Sequence, residues 1–307
     1  MAGLLDGRPA SELAPLAERL GSEGFHLRVT CSRPRFGIPN DFQSTKRVRF
    51  GPWYGDDEDD YSGRSCRRLD ACVTVSDAVV DSLRPHFPGL EFTTIPNGID
   101  TGLFSPDAEP LEELRGKRTI VFVGRFDPRN GVRHMIGAFT ALRRTRDDVG
   151  LVIVGDGPLR VLVERMVPTA LREDVVFAGR VNRLRPRYLA SAEILCTPCS
   201  LASFGMVLLE GMSAGLPVVA SRLPGFELVM RDGVDGLMVD RADDEVGFAA
   251  ALDRLLEDPS IGRRMGLAGR QRALTTFAWP VVAARLEALY ESLLDRTRVV
   301  APRLAIA

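Results

Sequence analysis

Short apolar runs alternate with amphipathic stretches through the second half of the chain. Each apolar run has the length of a strand and leads through a glycine- or proline-containing turn into a segment with helical spacing of its apolar residues. The runs that predict strands are residues 119–123, 151–154, 175–178, 194–196, 217–220 and 236–239. The segments that predict helices are residues 132–144, 159 onward, 185–191, 204–214, 224 onward, 245–256 and 260–277. This alternation indicates a doubly wound parallel α/β sheet.

The first half of the chain shows the pattern less completely. Helices are predicted over residues 8–23 and from Ser76 to about residue 83, strands over 27–31, 71–75 and 92–95, and a last helix over 281–294. Residues 32–65 have no clear period and are expected to form loop.

Composition narrows the class of protein. The chain has 307 residues, enough for two domains of ordinary size. Its 41 acidic and 40 basic residues nearly cancel, so no overall field favours a nucleic acid partner. No apolar run reaches transmembrane length and no signal-peptide pattern follows Met1, so we expect a cytoplasmic protein. Cys196 and Cys199 have the spacing of a redox pair, but we expect both to be buried packing residues.

Residues 200–221 join a polar lead-in to a helix and a buried strand. Ala202 and Ser203 precede the predicted helix, and Gly205 lies at its start. Backbone amides at a helix start attract anions such as phosphate, and a glycine lets the anion approach the backbone closely. We therefore expect a phosphate group to bind here.

Glu210 stands out in the same helix because its neighbours are apolar. Carboxylates are seldom buried without a partner. Glu210 lies four residues after Met206 and three after Val207, so the three share a helix face about one turn from the helix start. A sugar nucleotide would place hydroxyls against this carboxylate and phosphate at the helix start. A Glu210 turned away from the cleft between the domains, or tied up by a neighbouring base, would overturn this interpretation.

This segment resembles the E-x7-E signature of family 4 of the retaining glycosyltransferases, which have the GT-B fold. In that family the second glutamate binds the ribose of the nucleotide, and the first contacts the donor sugar. Glu210 matches the second position, whereas Ala202 stands where the first is expected. Residues 95–100 also resemble the segment that ends the N-terminal domain of these enzymes. Within the family, the chain is similar to the phosphatidylinositol mannosyltransferase-like enzymes.

The resemblance implies a donor site at the ends of the predicted strands. Arg125 would stabilise the diphosphate leaving group, on which negative charge grows as the glycosidic bond breaks. The lysine that the family places five residues later is Asn130 here, and the adjacent Arg129 could replace it by turning inward. Arg125 and Glu210 are the implied catalytic residues. The implied donor- and nucleotide-binding residues are Gly7, Arg8, Gly124, Asn130, Gly155, Gly157, Arg180, Val181, Ala202, Ser203, Phe204, Gly205, Met206 and Val207.

A GT-B fold implies two Rossmann-like domains. We expect a reduced N-terminal domain over residues 1–107, a complete nucleotide-sugar-binding domain over 108–280, and a final helix and tail over 281–307 that crosses back to the first domain. Gly7 falls where the family has a glycine-rich loop against the donor phosphates, but only six residues precede it. The strand that should feed that loop is therefore expected to be missing.

Together these features predict a retaining hexosyltransferase that uses a UDP- or GDP-sugar and needs no metal or cofactor. Its acceptor would be a sugar or a lipid. Two alternatives stay open. A non-catalytic nucleotide-sugar-binding protein is favoured by Ala202, Asn130 and the short N-terminal half, and a sugar-nucleotide epimerase would turn over without an acceptor.

Four arginines follow one another closely after the third predicted strand of the second half. Arg180, Arg183, Arg185 and Arg187 read as a solvated helix face. The functional alternative is contact with an anionic lipid acceptor, which would bring the protein to the inner face of a membrane.

Overall fold

The structure, a computed structural model, describes residues 71–85, 91–114, 118–181 and 183–300, the last seven by their backbone alone. The expectations for residues 8–23, 27–31 and 32–65, and those for Gly7 and Arg8, lie outside the described residues.

Every strand and helix that the sequence pattern predicts within the described ranges is present. The strands are β1 (Cys72–Thr74), β2 (Phe92–Thr94), β3 (Arg118–Val123), β4 (Val149–Val154), β5 (Val175–Gly179), β6 (Ile194–Thr197), β7 (Val218–Ser221) and β8 (Gly236–Val239). The α-helices are α1 (Asp77–Leu83), α2 (Val132–Leu142), α3 (Arg160–Met166), α4 (Arg185–Ala190), α5 (Met206–Ser213), α6 (Pro224–Glu227), α7 (Glu245–Glu257), α8 (Pro259–Arg272) and α9 (Trp279–Val300).

The described residues divide into two compact units. One comprises those up to Gly98 and from Trp279 onward, and the larger one is Ile99–Ala278. The two ends of the larger unit lie side by side, because Ile99 and Ala278 form a parallel β-bridge.

The smaller unit contains a parallel pair of strands, β1 and β2. Ser76 caps α1 as predicted, since its hydroxyl accepts a hydrogen bond from the Val79 amide at 3.3 Å. Val73 and Ile95 pack with Val282 of α9 in one apolar cluster.

The larger unit contains a six-stranded parallel sheet in the order β5-β4-β3-β6-β7-β8. The chain runs outward from β3 to β5, returns to β6 beside β3, and runs outward on the other side to β8. This is the doubly wound arrangement that the sequence predicts. In such sheets ligands bind outside the carboxyl ends of the strands at the point where the order reverses. Here that point lies between β3 and β6.

The core explains why the strands are so apolar. The last five residues of β3 are buried, as are all four of β6 and of β7, because helices cover both faces of a parallel sheet. Phe122, Phe139 and Phe248 are fully buried in one cluster. Each such side chain contributes roughly 1.5–3 kcal/mol of burial free energy, which fixes the strand ends that carry the loops described below.

The boundary between the units differs from the sequence-based one at residue 107, because the segment after Gly98 is bonded to the larger unit. The Arg270 guanidinium donates to the carbonyl oxygens of Thr101 and Phe104 at 2.9 and 3.0 Å. The Ser213 hydroxyl donates to the same Phe104 carbonyl at 2.6 Å.

Among the helices in the described ranges, none has both the length and the apolar composition that a bilayer crossing requires.

Candidate functional site

Three loops contact one another where they leave the carboxyl ends of β3, β4 and β6. The Phe126 amide, after β3, donates to the Asp156 carbonyl, after β4, at 3.0 Å. The Ser200 amide and the Cys199 thiol, after β6, donate to the Arg129 carbonyl at 2.8 and 2.9 Å. The segments to which the sequence assigned the donor site are therefore brought together at the switch point of the sheet.

Gly155 makes one of these close approaches feasible. It has a φ of +150°, and a Cβ there would lie 1.8 Å from the Gly124 carbonyl oxygen. A Cβ at Gly157 would lie 2.7 Å from the Phe126 carbonyl oxygen. Close packing of the loops thus explains why glycine is present at Gly124, Gly155 and Gly157. Their contact with a ligand stays a prediction.

The loop after β3 presents Arg125, whose side chain is exposed. The Asn130 side-chain amide folds back and donates to the Arg125 carbonyl at 2.8 Å. Arg129 does not take the place of the expected lysine, because Asp127 holds its guanidinium with two hydrogen bonds of 3.0 and 3.1 Å. The same pairing lowers the pKa of the Asp127 carboxyl. The suggestion that Arg129 turns inward is therefore not supported.

Helix α5 begins at Met206, two residues later than the sequence predicts. Gly205, with a φ of +146°, lies outside the helical region and can supply no side-chain cap, and the first turn of α5 holds no acidic residue. A Cβ at Gly205 would lie 2.9 Å from the Phe226 ring. Since the first amides of a helix have no intrahelical acceptor, this helix start suits an anion.

The residues just before α5 contribute mainly backbone. Ala202 and Ser203 are half-buried. Phe204 is buried, and its ring packs edge-to-face on Phe277 with centroids 6.1 Å apart, so its side chain belongs to the core. A Cβ at Gly225 would lie 2.6 Å from the Ala202 carbonyl oxygen, which shows how closely α6 supports this loop.

Glu210 is buried, as predicted, but it is not alone. Its side chain is 8% exposed, and Oε1 accepts a hydrogen bond from Arg185 Nη1 at 2.7 Å. Burial raises the pKa of the Glu210 carboxyl, and the charge of Arg185 offsets part of this effect. Pairing with a base is the observation that counts against a ribose-binding role. However, the pair leaves Glu210 Oε2 buried without a hydrogen-bond partner in the described structure, so one acceptor stays unused.

The arginines after β5 do not form one solvated face. Arg180 and Arg183 are exposed. Arg187 donates to the Glu109 and Pro110 carbonyls at 3.0 and 3.3 Å. Arg185 at the start of α4 pairs with Glu210 as described above.

Val181 is half-buried beside Arg180 in the loop after β5. That loop lies next to the loop after β4, because the Gly179 carbonyl accepts a hydrogen bond from the Gly155 amide at 2.9 Å. The nucleobase contact of this loop stays a prediction.

Cys196 and Cys199 are buried packing residues, as predicted. Burial raises the pKa of the Cys199 thiol to about 11. Within the part of the chain that the structure describes, no cluster of three or more His, Cys, Asp or Glu side chains is placed to hold a metal ion.

Comparison with known proteins shows which families these residues resemble. The model of the family "Glycosyl transferases group 1" matches residues 117–258. The chain is 36% identical over 207 residues to a phosphatidyl-myo-inositol mannosyltransferase of Mycobacterium leprae, which covers 66% of the chain and 54% of that protein. It is 34% identical over 217 residues to a GDP-mannose-dependent alpha-(1-6)-phosphatidylinositol monomannoside mannosyltransferase of Mycolicibacterium smegmatis, covering 66% and 56%.

Among solved structures, the chain is similar to a sucrose-phosphate synthase of Thermosynechococcus elongatus. The TM-score is 0.65 at 26% identity, over 76% of this chain and 61% of that one. The match to the curated relatives spans somewhat more than half of their length. The fold is that of the GT-B glycosyltransferases, and residues 117–258 are similar to the glycosyl transferases group 1 family.

Proposed function

We propose that this chain transfers a hexosyl group from a nucleoside-diphosphate sugar to a hydroxyl of an acceptor, with retention of the anomeric configuration. The observation that carries the proposal is the start of α5. It presents backbone amides at the switch point of a doubly wound sheet, and a buried carboxylate with an unused oxygen lies about one turn inside it.

Each part of the site has a role in this proposal. The amides of Met206 and Val207 bind the diphosphate, and the exposed guanidinium of Arg125 neutralises charge that develops on it. Glu210 accepts a hydrogen bond from a ribose hydroxyl. Backbone groups near Arg180 and Val181 hold the nucleobase.

The transfer step needs no group beyond donor and acceptor. The bond between the anomeric carbon and the diphosphate oxygen breaks, and the acceptor oxygen bonds to that carbon on the same face. The acceptor proton passes to a diphosphate oxygen, so no side chain acts as nucleophile. The protein's part is to hold the two substrates in line and to stabilise the leaving diphosphate.

The donor that we propose first is GDP-mannose, with UDP-sugars as the comparison. Support comes from the M. smegmatis relative, whose name specifies GDP-mannose. An inositol lipid is the first acceptor to test, since both mannosyltransferase relatives are named for phosphatidylinositol substrates. The exposed Arg180 and Arg183 suit contact with an anionic headgroup at a membrane surface.

A second candidate is a protein that binds nucleotide sugars without turning them over. Two observations favour it. The side chain of Ala202 offers no polar atom to the donor sugar, and the position expected to hold a lysine is Asn130, whose side-chain amide is bonded to the Arg125 carbonyl.

Binding is tested by calorimetric titration of the full chain with GDP and UDP. We expect one of them to bind, and Glu210→Gln to weaken that binding at least about tenfold through loss of a charged acceptor. The control is Glu193→Gln, which also removes a carboxylate paired with an arginine (Arg118, 3.0 Å) but just before β6, at the opposite edge of the sheet. If neither nucleotide binds, or if both variants bind alike, the proposed site is wrong.

Turnover is tested with labelled GDP-mannose and phosphatidylinositol vesicles. Transfer of label to lipid, with release of GDP, supports the enzyme. Binding without transfer or donor hydrolysis across a panel of donors supports the second candidate.

A further inference from the structure

Arg185 and Glu210 are brought together from separate parts of the chain. Arg185 is the first residue of α4, and Glu210 lies in the second turn of α5. The Arg185 side chain is 30% exposed, whereas that of Glu210 is 8% exposed. The pair therefore reaches solvent mainly through Arg185.

The pair is incomplete as a hydrogen-bonded unit. Glu210 Oε2 and Arg185 Nε are both buried and have no partner among the described residues. One unused acceptor and one unused donor therefore remain within a single ion pair. Leaving such groups unpaired is costly, which is why most buried pairs are fully bonded.

Another buried carboxylate in the same chain shows what a purely structural pair looks like. Asp235 is fully buried beside Arg231, and both of its oxygens are used. Oδ1 accepts from Arg231 Nη2 at 2.7 Å, and Oδ2 accepts from Arg231 Nε and the Arg231 amide at 2.8 and 3.1 Å. Arg143 Nε, in the ion pair with Asp174, is also buried without a partner, so what distinguishes the Arg185–Glu210 pair is its unused carboxylate oxygen, which can receive a further group.

The chemistry of that group follows from the charges. A phosphate would meet the carboxylate of Glu210, and a cation would meet the guanidinium of Arg185, so neither charge is favoured beside the balanced pair. Neutral hydroxyls donate as well as accept, and two adjacent ones can satisfy both unused atoms.

We propose that Arg185 is a positioning and specificity-determining residue that orients Glu210 and, together with it, recognises two adjacent hydroxyls of a ribose. This inference rests on the proposed nucleotide site. Its consequence is selection of ribonucleotides over 2′-deoxyribonucleotides, since the deoxy analogue leaves one member of the pair unsatisfied.

The test measures affinities of the full chain for GDP, UDP and their 2′-deoxy analogues by calorimetry. The variants are Arg185→Met and Arg185→Lys, with Arg187→Met as a matched control from the same helix that bonds elsewhere. We expect the wild type to prefer the ribonucleotide by about tenfold or more. Arg185→Met should weaken ribonucleotide binding by a similar factor and bring the ribo-to-deoxy ratio close to one, while Arg187→Met leaves the ratio unchanged.

A residue that only supported the fold would lower both affinities without changing their ratio, so the ratio decides. If Arg185→Met is not folded by thermal melting, Arg185→Lys provides the answer, because one ammonium cannot reproduce the fork of a guanidinium. A wild-type ratio near one, an unchanged ratio in the folded variant, or tighter binding in that variant would each overturn the inference. Absence of any nucleotide binding by the wild type would instead reject the proposed function itself.

Discussion

Ala202 lies in the loop between β6 and α5, at the position where the family signature has its first glutamate. Its side chain is half-buried, at the position where the sugar of a donor bound at α5 is expected. A methyl group can neither accept from a sugar hydroxyl nor stabilise positive charge at the anomeric carbon. We therefore expect the wild type to turn over slowly.

Introducing the missing carboxylate tests this expectation. Ala202→Glu should raise the transfer or donor-hydrolysis rate about tenfold or more, because one charged hydrogen bond contributes roughly 1.5–3 kcal/mol. The measurement is turnover of labelled GDP-mannose. Leu201→Glu is the control, since it adds the same charge at an exposed neighbouring position and should give no gain. Equal rates in all three proteins would contradict the proposed place of the sugar.

Glu210 also predicts a pH dependence of stability. Burial raises the pKa of its carboxyl above the usual 4.5 in the folded state, so the folded state binds this proton more tightly than the unfolded state does. The contribution of the Glu210 proton to the free energy of unfolding is complete below the pKa of the unfolded state. It is lost as the pH rises through the pKa of the folded state. The melting temperature of the unliganded wild type should therefore fall relative to that of Glu210→Gln as the pH rises from 4.5 towards neutrality.

Asp148→Asn provides a control of opposite sign. Arg146 and Arg118 hold the pKa of Asp148 down to about 2, so this carboxylate stabilises the folded state above its unfolded pKa. Its contribution is lost as the pH falls towards 2. A wild-type curve parallel to that of Glu210→Gln at all pH values would contradict a raised pKa for Glu210.

The sequence located Glu210 and its burial but missed its partner. Arg185 looked like one of four exposed arginines. A signal was present, because a base on the first residue of a helix faces the positive end of the helix dipole and is unfavourable there without a compensating anion. Which anion it meets depends on how α4 packs beside α5, and no local pattern encodes that packing.

Helices and strands were predicted well for a physical reason. Buried parallel strands must be apolar along their whole length, and glycine or proline marks their ends, so both signals agree. The start of α5 was the informative failure. Propensity extends a helix back to Phe204, whereas Gly205 has a φ of +146°, which lies outside the helical region.

Gly205 links backbone conformation to ligand binding. Gly205→Ala should strain the backbone by roughly 1–3 kcal/mol and push the new Cβ into the Phe226 ring, which displaces the start of α5. We expect nucleotide affinity to fall much further than the melting temperature. The measurement pairs calorimetric titration with thermal melting.

Gly233→Ala is the matched control. Gly233 also has a positive φ, +73°, but nothing lies within 4 Å of the position of its Cβ. This variant should lose stability and keep nucleotide affinity. Equal losses of affinity in both variants would show that general destabilisation explains the effect.

The boundary between the two units lies after Gly98, and the composition of the chain does not mark it. The sequence places the boundary at residue 107, yet Thr101 and Phe104, which precede it, accept hydrogen bonds from Arg270 and Ser213 of the larger unit, and the Leu111 amide donates to Ser191. All three partners are distant in sequence. A boundary drawn from local pattern therefore falls too late.

The larger unit should fold by itself. A protein of residues 99–278 retains the six-stranded sheet, its core and the Ile99–Ala278 bridge. We expect a single cooperative unfolding transition followed by circular dichroism, and nucleotide affinity close to that of the full chain. A second version that starts at residue 108 loses the bonds to Thr101 and Phe104 and should melt at a lower temperature. Loss of cooperativity in the longer version would show that the units depend on each other for folding.

The bidentate bond between Asp127 and Arg129 has a consequence for behaviour in solution. The Arg129 guanidinium is bonded to Asp127, so it does not neutralise a bound diphosphate. The diphosphate is then held mainly by the backbone amides at the start of α5. Salt screens exposed charges beyond a Debye length of about 8 Å at physiological ionic strength and affects such short contacts far less. We therefore expect the nucleotide affinity of this protein to fall less at high salt concentration than that of a site built from lysine side chains.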